Sequence, residues 1–326
     1  MANTNKQFQE YNDELKIPKS KRDAMIVSRK DGRKRIEKWF AENQPDYPVS
    51  FWIQGSHKNH LNIRTRDEGC DQDDGIYFDK DPEDSVTGTT LQKWVIKALT
   101  GSTSTTPAHK SRCVRNFYKP RGLGPYHMDY PVYYKTDDMD HPLLAVKDSE
   151  LEESDPQEFT KWLNEQMEDH GSQLRRIVKY LKGWSDHISR NHKMLNGLTL
   201  TVLACEHFEE IEDRDDEALY YILIGIYEGL DENWECIMPA TPEDDLLERY
   251  DGTFKTNFMN ALANLINDAK KALDEESEYE ATRYWKKHLG KRYPLAEQEV
   301  SAGSRKGLGS IVGNNKPYYN GTRRLS

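Results

Sequence analysis

The sequence predicts an α+β fold, in which a mixed sheet flanked by helices is followed by a mostly helical half. Two observations support this class. Short β-rich segments separated by polar turns fill the first half of the chain, whereas apolar residues recur at helical spacing through most of the second half. The acidic stretch "DSELEESDPQEF" lies between them. With 326 residues, the chain is long enough to form more than one hydrophobic core.

The predicted elements of the first half begin with a basic helix over residues 21–41, in which four residues are available for burial: Met25, Ile36, Trp39 and Phe40. Strands follow in "VSFWIQGS" and "DDGIYFD", and then a helix over residues 90–99. Two further strands are predicted in "RCVRNFY" and "MDYPVYYK". Pro131 in the last segment indicates an edge strand or the end of its pairing, because proline cannot donate a backbone hydrogen bond.

The second half is predicted to contain helices over residues 157–170, 172–190, 196–209, 216–230 and 254–288. The stretch from residue 298, rich in Gly, Ser, Asn and basic residues, shows no periodicity and is predicted to lack fixed structure. We therefore divide the chain into a catalytic lobe over 1–150 with a long N-terminal helix, a helical lobe over 151–297 and a flexible tail over 298–326. Ligands are expected in the cleft between the two lobes.

The composition excludes several classes of protein. A formal net charge of −10 argues against a general nucleic-acid-coating protein, so any phosphate site must be local. The four cysteines lack the spacing of a zinc site or a disulfide framework. No segment approaches 18 uninterrupted apolar residues, and the N-terminus has no apolar signal region. We therefore expect a soluble, cytoplasmic protein with no membrane partner and no stably bound nucleic acid.

Acidic residues are concentrated at the start of the second predicted strand, where Glu68, Asp71, Asp73 and Asp74 lie close together. Asp71 and Asp73 are two positions apart, so on a strand both carboxylates face one side and Asp74 faces the other. Two carboxylates on one face repel each other unless a cation lies between them, and Mg²⁺ accepts such a pair. Asp129, at the start of another apolar segment, could supply a third carboxylate from a neighbouring strand.

A weaker signal lies at the end of the first strand, where the backbone N–H groups and the hydroxyl of Gly55 and Ser56 could receive a triphosphate. Taken alone, each feature has an ordinary explanation. An isolated D-x-D is more often a solvated turn, and a Gly-Ser pair often simply ends a strand. The combination of the two features is what indicates a site.

A strand, a Gly-Ser turn, a D-x-D strand and a distant third aspartate together resemble the polymerase-β-type nucleotidyltransferases. Within that group, the sequence is more closely similar to the bacterial cGAS/DncV-like nucleotidyltransferases (CD-NTases). The similarity covers most of the chain outside the tail, and it is carried by "QFQEYNDELKI", "FWIQGSHK", "DQDDGIYF", "HMDYPVY", "ESDPQEFTKWL", "LRRIVKYLKGWSD" and "PEDDLLERY". The D-x-D-D-G-x-Y segment preceded by Gly-Ser is the most specific of these features.

The resemblance assigns roles to residues of this sequence. Asp71, Asp73 and Asp129 would be the catalytic carboxylates that bind two Mg²⁺ ions, for which Mn²⁺ could substitute. Gly55 and Ser56 would hold the triphosphate of the donor nucleotide. All five positions carry the residue that the family pattern requires.

Two further positions are implied in the second half. Lys182, in "YLKGW", resembles a helical lysine that reaches the triphosphate, although a solvated helix lysine is the alternative. Asn196 lies where relatives often carry a serine that also contacts phosphate, so either its side chain or the backbone N–H of Gly197 would take that part.

Lys110, Arg112 and Arg115 precede the strand of the third aspartate and could neutralise the phosphate of the acceptor nucleotide, although alternating charges are also typical of a solvated edge strand. The attacking hydroxyl must lose a proton during the reaction. We expect Asp129, rather than His127, to accept it, because a carboxylate beside the metal can take the proton directly.

The same resemblance implies nucleotidyl transfer, in which a ribose hydroxyl of one nucleotide attacks the α-phosphate of another and pyrophosphate leaves. The substrates would be NTPs: ATP, with GTP or a pyrimidine nucleotide as alternatives. A second transfer would close a cyclic di- or trinucleotide. In this family such products are second messengers of anti-phage defence (CBASS) that activate a separate effector.

Other functions remain open at this stage. A linear polymerising or RNA-modifying nucleotidyltransferase would need a positive track for RNA, which the net charge of −10 disfavours. A catalytically silent nucleotide-binding module is the alternative from another class. Related enzymes can also be conjugated through their C-termini, so a conjugating or regulatory protein partner is a further expectation, which the terminal "NGTRRLS" leaves open.

Overall fold

The computed structural model describes residues 1–83 and 85–298, so the predicted tail lies almost entirely outside the described residues. The helices are α1 (Asn5–Glu14), α2 (Lys19–Asn43), α3 (Gly55–Lys58), α4 (Gly88–Leu99), α5 (Pro156–Asp169), α6 (Gly171–Ile188), α7 (Gly197–Glu206), α8 (Asp215–Glu232), α9 (Gly252–Asp274) and α10 (Glu278–Leu289). The strands are β1 (Val49–Gln54), β2 (Asp71–Phe78), β3 (Ala108–His109), β4 (Val114–Tyr118), β5 (Tyr126–Tyr130), β6 (Val132–Tyr134), β7 (Leu143–Leu144) and β8 (Glu152–Glu153).

All eight strands join one mixed sheet, with β2 at its centre. Strand β1 pairs antiparallel with one edge of β2, while β5 and β6 pair parallel with successive parts of the other edge. Strands β4 and β3 extend the sheet beyond β5, and β7 and β8 extend it beyond β6. Together with the helices that surround the sheet, this arrangement confirms the predicted α+β class.

Pro131 does not have the position that the sequence predicted. It separates β5 from β6, but both strands pair with the central strand β2, so Pro131 lies inside the sheet rather than on an edge. Proline lacks only the N–H donor, and its carbonyl accepts a 2.9 Å hydrogen bond from the backbone N–H of Ile76. Pairing therefore continues past the interruption, and the prediction of an edge or an end of pairing was wrong.

The helices of the second half follow the predicted order, with one correction. The single helix predicted over 254–288 is two helices, α9 and α10, because the chain breaks between them. The hydroxyl of Ser277 accepts a hydrogen bond from the backbone N–H of Glu280 at 3.4 Å and starts α10. This Ser-x-x-Glu pattern is a helix-start signal that periodicity alone overlooks.

Two main hydrophobic cores hold these elements together. The first lies between the sheet and helices α2 and α4, and Ile36, Phe40, Phe78 and Tyr130 are fully buried in it. Burial of each such side chain contributes on the order of 1.5–3 kcal/mol to the transfer free energy, so the core fixes the sheet on which the candidate site is built.

The second core is formed mainly by helices α5–α10, and it also includes α1, a helix that the sequence did not predict. Phe8 of α1 packs its ring 5.1 Å from Tyr180 and 5.0 Å from Trp285, measured between ring centroids. The N-terminal segment is therefore held by residues far away in sequence. The division of the chain near residue 150 stays a prediction. None of the helices in the described ranges is long and apolar enough to cross a membrane.

Candidate active site

The register of the sheet aligns the predicted acids on one face. Asp73 of β2 is the Cα partner of Asp129 in β5, and Asp129 is in turn the partner of Arg115 in β4. In the neighbouring row, Asp71 is the partner of His127. Paired residues face the same side of a sheet, as do residues two positions apart on one strand. The three aspartates therefore share one face, next to a cationic side chain on the outer strand.

The turn after β1 brings the Gly-Ser pair to the same point. Gln54, the last residue of β1, is the Cα partner of Asp73. Gly55 has φ +67°, and a methyl group added to it would lie 2.1 Å from Oδ2 of Asp73. Only glycine meets both conditions, because a side chain would be strained and would also collide with the carboxylate. Ser56 follows as the second residue of α3 and lines the adjoining cleft.

A cleft of about 920 Å³ opens over this face. Its lining combines residues of the sheet with residues of the helical half, as the predicted site between them requires. The predicted residues among its lining are Gly55, Ser56, Asp71, Asp73, Arg112, Lys182, Asn196 and Gly197, whereas Asp129, Lys110 and Arg115 are not part of it. Its volume is at the upper end of the range typical of small-molecule sites.

Asp73 lies in the cleft among like charges. Burial raises the pKa of Asp73 well above its ordinary value, and the nearby carboxylates of Asp71 and Asp129 raise it further. Arg115 and Lys182 offset only part of this effect. In the described part of the chain, no side chain donates a hydrogen bond to Asp73. This local excess of negative charge is what a bound cation would relieve.

Asp129 is paired with the cationic side chain of Arg115. Its Oδ1 and Oδ2 accept hydrogen bonds from the guanidinium of Arg115 at 2.7 and 2.6 Å. Among the described residues, the set of three metal-type side chains whose ligand atoms all lie within 4.8 Å of one another is His141, Asp155 and Glu158, of which only Asp155 lines the cleft. The predicted aspartates thus share a face, but their oxygens are not gathered into an equally compact set.

Lys182 extends from α6 into the cleft, where its ammonium donates a 3.2 Å hydrogen bond to the carbonyl of Leu61. Burial lowers the pKa of Lys182 to about 8, while Asp71 acts in the opposite direction. Asn196 is the N-cap of α7, and its side-chain Oδ1 accepts a hydrogen bond from the backbone N–H of Thr199 at 2.9 Å. The side-chain NH₂ group of Asn196 takes no part in this cap, so it can donate into the cleft.

The three basic residues predicted near the acceptor phosphate have different positions. Arg112 lines the cleft and pairs with Glu152 at 2.5 Å. Arg115 forms a salt bridge with Asp129. Lys110 is exposed and is not part of the cleft lining. The structure therefore brings Arg112, but not Lys110, to the cleft.

Sequence reasoning missed Asp186, which also lines the cleft. Its Oδ2 accepts the backbone N–H of Arg66 at 2.6 Å, and its carbonyl accepts the Arg66 guanidinium. Asp186 therefore ties α6 to the loop that leads into Asp71. Its position four residues after Lys182, and so on the same side of the helix, was an available signal.

A mixed sheet that carries D-x-D on its central strand, a third aspartate on the parallel neighbour and a Gly-Ser turn beside them defines a polymerase-β-type nucleotidyltransferase fold. Residues 49–133 match the family "Cyclic GMP-AMP synthase DncV-like, nucleotidyltransferase domain". Residues 49–133 thus carry a DncV-like nucleotidyltransferase domain, in agreement with the predicted resemblance to the cGAS/DncV-like group.

Two curated relatives are similar to the chain in sequence. The chain is 27% identical over 194 residues to a cyclic GMP-AMP synthase of Escherichia albertii, covering 57% of this chain and 43% of that protein. It is 23% identical over 176 residues to a cyclic AMP-AMP-AMP synthase of an Acinetobacter species, covering 51% of each. The matched segments thus span about half the length of these relatives.

The solved structure is Vibrio cholerae DncV cyclic AMP-GMP synthase in complex with nonhydrolyzable GTP. It matches with a TM-score of 0.77 and 17% sequence identity, and the match covers 91% of this chain and 100% of that one. At this identity the likeness establishes the shared fold, over most of both chains.

The residues of the site fit a divalent cation. Asp71, Asp73 and Asp129 offer only carboxylate oxygens, which are the ligands that Mg²⁺ and Mn²⁺ prefer. The raised pKa of Asp73 also reflects like charges that a cation would neutralise. These three aspartates are therefore the residues that would hold it.

Proposed function

We propose that this protein is a Mg²⁺-dependent nucleotidyltransferase that joins NTPs into a cyclic di- or trinucleotide and releases pyrophosphate. The observation that supports this most is the row formed by Asp73 and Asp129 on adjacent parallel strands, with Asp71 on the same face and Gly55 packed against Asp73. Mn²⁺ could substitute for Mg²⁺ at the same site. The named activities of the two curated relatives support the class of product.

The donor triphosphate would lie against the turn after β1, where backbone N–H groups and the hydroxyl of Ser56 donate to its oxygens. Lys182 would complete this site from the helical half. Its pKa of about 8 means that a bound triphosphate would secure its positive charge, because an opposite charge favours the protonated form. The amide of Asn196 would add a further donor.

Two bound Mg²⁺ ions would supply activation of the attacking hydroxyl and neutralisation of charge on the phosphates. In the transfer itself, the ribose oxygen of the acceptor forms a bond to the α-phosphorus of the donor. The bond from that phosphorus to the β-phosphate oxygen breaks, and pyrophosphate leaves. The hydroxyl proton passes to a carboxylate oxygen of Asp129. Arg112 would hold the acceptor phosphate, and Lys110 would contribute only long-range attraction.

A second transfer in the same cleft would close the ring. We also propose that the product activates a separate effector in anti-phage defence, and that the enzyme acts in the cytoplasm with a regulatory or conjugating protein as a further partner. These statements rest on the family resemblance. The class of the relatives' products supports the messenger role, and their names include both a dinucleotide and a trinucleotide.

The function is tested by incubating the purified protein with Mg²⁺ and labelled NTPs, singly and in pairs. We expect a phosphatase-resistant product that migrates as a ring. A ladder of linear products would instead support a polymerising enzyme, and nucleotide binding without any product would support a silent module. The D71N/D73N variant is the control, and its turnover should fall by about a thousandfold or more.

A further inference from the structure

Arg115 supplies a positive charge next to Asp129, one of the candidate metal ligands. Its guanidinium donates to both oxygens of Asp129, and the two residues are Cα partners on β4 and β5. Asp129 is only 6% exposed. A charge-assisted, bidentate pair in this setting is considerably stronger than a surface salt bridge. The fork also uses both oxygens that a metal ion would need.

The distribution of charge around the pair is uneven. In the described part of the chain, Asp71 and Asp73 receive no hydrogen bond from a cationic side chain, whereas Asp129 beside them receives two from Arg115. The sheet register places Arg115 on the opposite side of Asp129 from Asp73. An ion shared with Asp73 would therefore compete with Arg115 for the carboxylate oxygens of Asp129.

The guanidinium left behind needs another anion. Its side chain is 30% exposed, and Arg112 and Cys113, just before it in sequence, line the cleft. Arg115 itself is not part of the lining, but its charge acts on Asp73 and Cys113, which both line the cavity that would hold the nucleotides. The anion of matching geometry that enters this cavity is a nucleotide phosphate, which guanidinium groups bind in a bidentate way.

We propose that Arg115 is a positioning residue that competes with the divalent cation for Asp129, and that it releases Asp129 when a nucleotide phosphate binds the guanidinium. This inference rests on the proposed function. The full metal site then assembles only on the nucleotide-bound enzyme. In the opposite arrangement, Arg115 permanently orients Asp129 for the metal. If Arg115 competes with the metal, removing Arg115 should strengthen metal binding. If Arg115 orients Asp129 for the metal, removing it should weaken metal binding.

The test is calorimetric titration of Mn²⁺ into nucleotide-free protein. The parent protein and all variants carry His141→Gln, because the set containing His141 could itself bind Mn²⁺. We expect R115M to bind Mn²⁺ roughly tenfold more tightly than its parent. R115K should lie between them, because a lysine keeps the charge but cannot form the fork. The gain should disappear in the R115M/D129N double variant, since it acts through Asp129.

R112M is the matched control, because Arg112 lines the cleft but pairs with Glu152. Its Mn²⁺ affinity should equal that of the parent. Unchanged or weaker Mn²⁺ binding in R115M and R115K would overturn the proposal. R115K keeps the test decisive if R115M does not fold, as checked by thermal unfolding. If D71N/D73N leaves Mn²⁺ binding unchanged, the proposed function fails instead.

Discussion

Two aspartates, one in each half of the molecule, differ in whether the protein compensates their negative charge. Asp215, at the start of α8 in the helical core, is fully buried. Arg176 donates to its two oxygens at 2.7 and 2.8 Å, and Tyr180 and Gln173 donate to it at 2.8 and 3.0 Å. Asp73, at the centre of the sheet, faces the cleft beside other carboxylates and has no such donors in the described part of the chain.

This difference separates structural charge from charge reserved for a ligand. A buried carboxylate that the protein itself compensates fixes the packing of the elements around it, and removing one partner is strongly destabilising. A carboxylate held among like charges lowers the stability of the empty protein. Such an arrangement is typical of functional sites, where the missing charge arrives with the substrate or cofactor.

The comparison predicts first that D215N destabilises the protein by about 3 kcal/mol, because it leaves the partly buried guanidinium of Arg176 without its carboxylate. Activity per folded molecule should stay close to that of the wild type. Urea unfolding and product formation measure the two quantities. E228Q, an exposed position on the same helix, is the matched control. A loss of activity without a loss of stability would place Asp215 in the functional class.

The second prediction concerns the turn that holds Asp73 in place. G55A should destabilise the protein by about 2 kcal/mol, because it combines backbone strain with a collision against the Asp73 carboxylate. G101A is the matched control, since Gly101 has φ +80° but nothing within 4 Å of an added methyl group. Denaturant unfolding should therefore show a smaller loss for G101A. Equal losses would mean that the contact with Asp73 is unimportant.

A third aspartate sharpens the comparison through pH. Asp268 of α9 accepts hydrogen bonds from Lys271, Lys287 and His288 at 3.0, 2.6 and 2.9 Å. Burial alone would raise the pKa of Asp268, but these bonds outweigh it and the pKa is lowered. A lowered folded-state pKa contributes stability that is present above the unfolded pKa of about 4 and is lost as the pH falls further.

The stability difference between the wild type and D268N should therefore be largest near neutral pH and shrink below about pH 4. Urea unfolding at pH 7 and pH 3 measures this small effect. The same series on E228Q should show no such change. A difference that grows on acidification would contradict the assignment of Asp268 to the compensated class.

The sequence was sufficient to predict the fold class and the residues of the sheet face. Asp71 and Asp73 are two positions apart on an apolar strand, which predicts a shared face directly. The pairing of Asp73 with Asp129 could only be inferred through the family resemblance, because parallel pairing joins segments that are distant in sequence. The helix α1 was missed because its partners, such as Tyr180 and Trp285, come from the second half of the chain.

The charge pairing within the site was not predictable. Arg112 and Arg115 appeared equivalent in sequence, since both precede the strand of Asp129. They differ only because the β4–β5 register places Arg115 directly opposite Asp129. One residue of slip would have placed another side chain there. Side-chain partners of this kind depend on register, which local sequence patterns do not determine.

The most direct test of the claim that the cleft acids are held for a cation is the stability of D73N in metal-free buffer, measured by urea unfolding beside its activity. The account predicts that D73N is more stable than the wild type by about 1 kcal/mol, because a like-charge repulsion is removed, while its turnover is lost. A D73N protein that is less stable than the wild type without metal, or that still makes product, would contradict it.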